Sequence, residues 1–215
     1  MKTKEDDLKI AIEVFDRCCK KLYKHRNPNI RLEKSSELLS NWFLDGLKDL
    51  NPLTLGSNSH PDFIVQNVGF ELKSTKTKGL IQFNSTIPCG GYLHNNEERE
   101  CYYVIARYIK DRQFGYLEDF TLVDGDFFNN DRNLSFTHRN SQEKKFGSFQ
   151  DGIVRYRKMY HFPSPHNEIP GVRFISKYNN AQSYNSNLQL EKVISRSNST
   201  CEEFTFYVYA HDLLV

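Results

Sequence analysis

Residues 101–108 read CYYVIARY, a run so nearly continuous in apolar side chains that both faces of the segment need cover. Such a run is suited to a central strand, so the chain must form a sheet with layers packed on it. QFGYLEDFTLV (113–123) reads as the next strand, and VRFIS (172–176) and EFTFYVYA (203–210) as later ones. DGDFFN, between the second and third, starts a short helical turn. Two helical patterns come first. Leu8, Ala11, Ile12, Phe15, Cys18, Cys19 and Leu22 recur at spacings of three and four over residues 4–25. Leu38, Leu39, Trp42, Phe43, Leu47 and Leu50 do so over about 31–50, until Asn51-Pro52 stops the pattern. The expected fold is α/β, a central mixed β-sheet flanked by helices with loop-rich insertions, in a single domain spanning 1–215. Its core falls at about 31–123. The insertions fall at about 82–96 and 129–170, and a polar Asn/Ser-rich stretch at about 177–200 separates the last two strands.

With 215 residues, 38% hydrophobic and 26% charged, the chain can bury one substantial core and lies outside the disordered class. No apolar run approaches membrane-spanning length, and acids precede the first apolar stretch where a signal peptide would carry bases. The five cysteines show neither Cys-x-x-Cys nor Cys/His zinc spacing, so reduced thiols and a cytoplasmic setting are expected. The net charge of +2 gives no global sign of a polyanionic partner. Between Asp131 and Lys158, however, seven basic residues stand against three acids, interleaved with aromatic residues.

The chemistry gathers at SHPDFIVQNVGFELKSTKTKG (59–79). After Pro61 the hydrophobic period turns from helical to extended, giving strands at 62–66 and 68–74 joined at Asn67, with Gly69 easing the bend. Asp62, Glu71 and Lys73 lie among these otherwise apolar positions, and a charge built into a strand pair needs a partner. Residues two apart share a strand face, so Glu71 and Lys73 lie together while Phe70 and Leu72 point to the opposite layer. If the two strands fold back on each other, Asp62 joins them. Two carboxylates and the Leu72 carbonyl make the hard oxygen set that suits Mg²⁺, and Lys73 adds a cation beside an attacking water and a phosphate. The alternative is a surface hairpin with a Glu/Lys pair and an unrelated Asp.

Pro61-Asp62, eight residues, then Glu71-Leu72-Lys73 resembles the active-site motif of the PD-(D/E)xK nucleases. The GFELKS wording is especially similar to type II restriction endonucleases. About 15 residues carry the match. The resemblance implies that Asp62 and Glu71 hold the metal and Lys73 assists the water. It also implies Mg²⁺-dependent cleavage of double-stranded DNA by a homodimer acting on a short palindrome. It further nominates Glu37 or Glu33, from the preceding helix, and Gln82 as supporting residues. Alternatives are a repair or junction-resolving nuclease of the same superfamily and a DNA-binding protein without turnover.

For contacts to DNA, Asn84, Ser85, Thr86, His94, Asn95 and Asn96 supply donors and acceptors suited to base edges, and Gly90-Gly91 would let backbone approach a groove. His138, Arg139, Lys144, Lys145 and Arg155 suit phosphate or base contact. His161 and His166, beside prolines and without ligand spacing, read as surface or packing residues.

Overall fold

The N-terminal pattern forms helix α1 (Lys4–Lys24), with Glu5, Asp6 and Asp7 in its first turn and Lys21 and Lys24 in its last. Both sets complement the helix dipole. Its apolar stripe, Leu8, Ala11, Ile12, Phe15, Cys18, Cys19 and Leu22, is buried. The structure is a computed structural model that describes residues 4–24, 29–30, 38–55, 59–75, 80–84, 88–95, 97–111, 114–128, 159–167, 169–197 and 201–214.

After strand β1 (Asn29–Ile30), the second helix, α2, is described over Leu38–Asp45 and ends before Leu50, where its pattern placed the stop; residues 31–37 of that pattern lie outside the described residues. Gly46 and Leu47 donate back three residues, to Phe43 and Leu44, which tightens the chain into a 3₁₀ turn over Lys48–Leu50. Asn51, with φ 50°, then reverses it.

The remaining strands are β2 (Leu53–Thr54), β3 (Phe63–Val65), β4 (Val68–Thr75), β5 (Leu80–Asn84), β6 (Gly91–His94), β7 (Glu97–Asp111), β8 (Phe114–Asp124), β9 (Met159–Pro163), β10 (Val172–Ser176), β11 (Leu188–Ser197) and β12 (Glu203–His211). Among the described residues, ten strands make one mixed sheet, ordered β11-β12-β10-β8-β7-β4-β3-β2, with β1 on β8 and β6 on β7 at the side. Pairs β4/β7 and β8/β10 are parallel and the others antiparallel. β5 and β9 form a separate two-stranded sheet. The chain is thus an α/β fold with a large mixed central sheet and two described helices.

Alternation along the strands separates two cores. Phe63, Val65, Phe70, Tyr102, Val104, Phe120, Leu122, Phe174 and Tyr209 pack with α1 around Phe15. Ile64, Tyr103, Ile105, Val123, Ile175, Phe206 and Val208 face the other way and meet Ile81 and Phe83 of β5. Fully burying such a side chain contributes roughly 1.5–3 kcal/mol. This double cover is why 101–108 reads apolar throughout. The exception, Arg107, is buried against Asp119 on the neighbouring strand, and Gly171 N–H donates to the second Asp119 oxygen at 2.5 Å.

Two segments differ from expectation. The polar stretch 177–200 contains β11, ten residues long, which is the sheet's edge. Of its residues only Leu188 is buried, and the alternation of Leu188 and Leu190 stops at an irregularity before Lys192, so the strand signal was short. In the 82–96 insertion, Gly91–His94 pairs with the start of β7.

Candidate active site

β3 and β4 deliver the charges. They pair with Phe63 opposite Phe70 and Val65 opposite Val68, around a turn in which Gln66 and Asn67 have φ of 48° and 83°. Two positive-φ residues close a tight hairpin and fix its register. Asp62, one residue before β3, therefore comes level with the middle of β4. Its Oδ2 accepts the Leu72 N–H at 2.7 Å, and its backbone carbonyl accepts the Leu55 N–H at 3.1 Å. Gly69 is not part of the turn. It lies in β4 opposite Ile64, where an added Cβ would meet Pro61 Cγ at 2.7 Å and Tyr92 Cε1 at 2.8 Å. Glycine here lets the Pro61-Asp62 segment close onto the strand.

Phe70 and Leu72 enter the α1-side core, which leaves Glu71 and Lys73 on the face of Tyr103 and Phe83. The Lys73 ammonium donates to Glu71 Oε1 and, at 3.3 Å, to the Leu72 carbonyl. It also lies 5.8 Å from the centre of the Phe83 ring, near enough for a cation–π contact. Asp62, Glu71, Leu72 and Lys73 are thus brought together. The structure adds His60, whose side chain is 6% exposed and whose Nδ1 is 3.0 Å from Glu71 Oε2. Its ring centroid lies 6.0 Å from that of Tyr103, and its Nε2 is 4.0 Å from Cys101 Sγ. Sequence reasoning missed His60. The only available signal was its place immediately before Pro61-Asp62, and no spacing rule gives that position a role.

The electrostatics follow from burial of unequal charges. Burial raises the Asp62 carboxyl, and Glu71 raises it further. Lys73 and the Leu72 N–H oppose this only in part, and the pKa settles at about 6. Burial would also raise Glu71, but the Lys73 ammonium and then His60 outweigh it and bring the carboxyl down to about 2. Burial lowers Lys73 and the two carboxylates raise it, for a net increase. One carboxylate is therefore firmly ionised, and its neighbour gains from any added cation.

Among the described residues, no three or more His, Cys, Asp and Glu side chains form a metal-holding group. A Mg²⁺ ion would depend on two carboxylates and a backbone carbonyl, with waters completing its shell, a common way of holding that ion. The Asp62, Glu71 and Leu72 oxygens fit that description. Two of them, Glu71 Oε1 and Leu72 O, already share one cationic partner in Lys73.

The other predicted residues lie on other elements or outside the described residues. His94 and Asn95 form the tip of the β6/β7 hairpin, where Asn95 has φ 51° and His94 pairs with Glu97. Exposed Glu97 and Glu98 at that tip would oppose a polyanion. Gly90 is committed to the interior: its N–H donates to Asp126 Oδ1 at 2.8 Å, and an added Cβ would strike that carboxylate. Gln82 and Asn84 lie on β5, opposite His161 and Met159, with their side chains outside the described residues. Glu33, Glu37, Ser85, Thr86, Asn96, His138, Arg139, Lys144, Lys145 and Arg155 also lie outside them. His166 is buried with Nδ1 3.2 Å from Thr121 Oγ1, in keeping with a packing residue.

A second charged cluster lies where β8 and β10 end and β7 begins. Lys177 Nζ is 2.7 Å from Glu100 Oε2, 2.9 Å from Asp126 Oδ2 and 3.4 Å from Asp124 Oδ2. Burial, then Asp126 and Glu100, push the Asp124 carboxyl up against the pull of Lys177. All five cysteines are free thiols, and only Cys201 is exposed. No described helix is long and apolar enough to cross a membrane.

Comparison with family models, with curated proteins and with solved structures gives no match.

Proposed function

We propose that the protein is a Mg²⁺-dependent endodeoxyribonuclease that hydrolyses phosphodiester bonds of double-stranded DNA at a short recognition sequence, acting as a homodimer in the cytoplasm. The observation that supports this best is the meeting of Asp62, Glu71 and Lys73 on one hairpin, joined by the Leu72 N–H bond to Asp62 Oδ2 at 2.7 Å. Their order and spacing are those of the PD-(D/E)xK motif. A mixed sheet carrying the motif on an internal hairpin is compatible with a restriction-endonuclease-like fold.

Asp62, Glu71 and the Leu72 carbonyl would hold the ion. When bound, Mg²⁺ supplies Lewis-acid polarisation of a phosphoryl oxygen and charge for the leaving oxygen. Lys73 orients the attacking water and stabilises negative charge as it develops on the phosphoryl group. The water oxygen bonds to phosphorus as one P–O ester bond breaks, leaving a phosphate monoester and a hydroxyl end. Asp62 keeps the hairpin closed through Leu72, so the oxygens stay in place without reorganising.

One observation favours a second reading, a DNA-binding protein without turnover. Both Glu71 oxygens are already partnered, by Lys73 and by His60, so the group is satisfied as an internal ion pair. Incubation with phage DNA separates these readings. Discrete fragments with Mg²⁺ and none with EDTA support the endonuclease, and fragment ends mapped by sequencing give the site. Nicking confined to branched substrates supports a repair or junction-resolving nuclease instead. Intact DNA under all conditions overturns the enzymatic reading.

A further inference from the structure

We infer that His60 is a positioning residue that fixes the Glu71 carboxylate for the metal; this rests on the metal reading above. A glutamate side chain turns about three bonds, and a metal site needs its carboxylate held in one orientation. Two donors hold that of Glu71. Lys73 approaches Oε1 on a flexible stem, whereas His60 approaches Oε2 from a ring packed near Tyr103 and only 6% exposed. A carboxylate only accepts hydrogen bonds, so the proton of this contact belongs to His60 Nδ1, and Nε2 faces the Cys101 thiol. That thiol lies 4.0 Å away and is itself fully buried.

The two donors therefore differ in kind. Lys73 can withdraw from Oε1 and from the Leu72 carbonyl, the two oxygens it bridges, and so release both to a cation. His60 stays on Oε2 and holds the carboxylate while the other oxygen changes partner. Histidine supplies this by its Nδ1–H donor, and the donor rather than the ring carries the role.

Two substitutions separate donor from ring. His60→Phe keeps an aromatic ring near Tyr103 and removes the donor; His60→Asn loses the ring and keeps an N–H close to the position of Nδ1. Mg²⁺ affinity is measured by calorimetry on the full chain, with unfolding temperature as the control for folding. Loss of a hydrogen bond that orients a metal ligand weakens metal binding about 10–100-fold, so His60→Phe is expected in that range and His60→Asn within about threefold of wild type. His60→Phe binding as wild type does, or His60→Asn binding as weakly as His60→Phe, overturns the role. If His60→Phe does not fold, His60→Ala takes its place as the variant without a donor. Wild-type protein that takes up no Mg²⁺ overturns the metal reading and this role with it. Wild-type binding that His60→Phe leaves unchanged overturns the role of His60 alone.

Discussion

Leu72, in the middle of β4, donates its backbone N–H to Oδ2 of Asp62 at 2.7 Å. The bond closes a ten-residue span and gives the Asp62 carboxylate one firm partner in a place that also holds Glu71. It ties the local fold to the candidate chemistry, because the same contact that registers the hairpin brings the two acids together.

Lys73 occupies two of the oxygens assigned to the metal, so its removal has opposite effects on binding and cleavage. Lys73→Met is expected to bind Mg²⁺ at least as tightly as wild type in a calorimetric titration. Cleavage is expected to fall about 10²–10³-fold, the loss typical when one charge-stabilising donor is removed. Weakened binding together with unimpaired cutting would contradict the assignment of Lys73.

Gly69 sits where a Cβ would come within 2.7 Å of Pro61 and 2.8 Å of Tyr92. Gly69→Ala must push the Pro61-Asp62 segment off β4 or displace a buried tyrosine. Overpacking of this kind costs about 1–3 kcal/mol, readable as a lowered urea midpoint. Weaker Mg²⁺ binding is expected alongside it, and an unchanged midpoint would show that the neighbours give way freely.

Lys177 is the cation for three largely buried carboxylates, Glu100, Asp124 and Asp126. Lys177→Met leaves them without it, and breaking a buried ion pair from one side costs about 3–5 kcal/mol. Urea denaturation at pH 7.5 measures the loss. A variant as stable as wild type would mean that the cluster is solvated.

Asp124 makes stability depend on pH. Burial first, then Asp126 and Glu100, raise its carboxyl from an ordinary 3.8 to about 7 in the folded chain. The folded state thus holds a proton that the unfolded chain releases. The stabilisation this gives is complete below the unfolded value of 3.8 and is lost as pH rises through about 7. Wild type is expected to lose stability from pH 5 to pH 8, with Asp124 contributing up to about 1.4 kcal/mol per pH unit. Asp124→Asn should flatten that slope in parallel urea titrations. Equal slopes in the two proteins would remove Asp124 as the cause.

Sequence periodicity was informative wherever a segment packs on both sides or carries one clean stripe. Helix α1 and the strands at 101–108, 172–176 and 203–210 belong to this class, since burial writes itself into residue choice there. β11 lies at the sheet edge with most of its residues exposed, and the alternation begun by Leu188 and Leu190 is broken by the irregularity between Leu190 and Lys192, which left only a short apolar pattern to read. α2 ends at Asp45 because the backbone tightens at Gly46, a change the continuing leucine spacing concealed.

In the candidate site, Asp62, Glu71 and Lys73 were legible because charged residues among apolar strand positions require an explanation. The placement of Gly69 and the role of His60 were not. Gly69 makes room for Pro61 and Tyr92, the latter 23 positions further along the chain, and the His60 contact to Glu71 crosses a hairpin whose register the sequence states only loosely. Gly90 misled in the opposite direction: its small size serves Asp126, not an incoming groove.

The most direct test is the Mg²⁺-dependent cleavage rate of Asp62→Ala beside wild type, on the same DNA, with circular dichroism showing both folded. Discrete cutting by wild type and none by the variant is the predicted result. Equal cutting by the two, or no Mg²⁺-dependent cutting by wild type, would contradict the account.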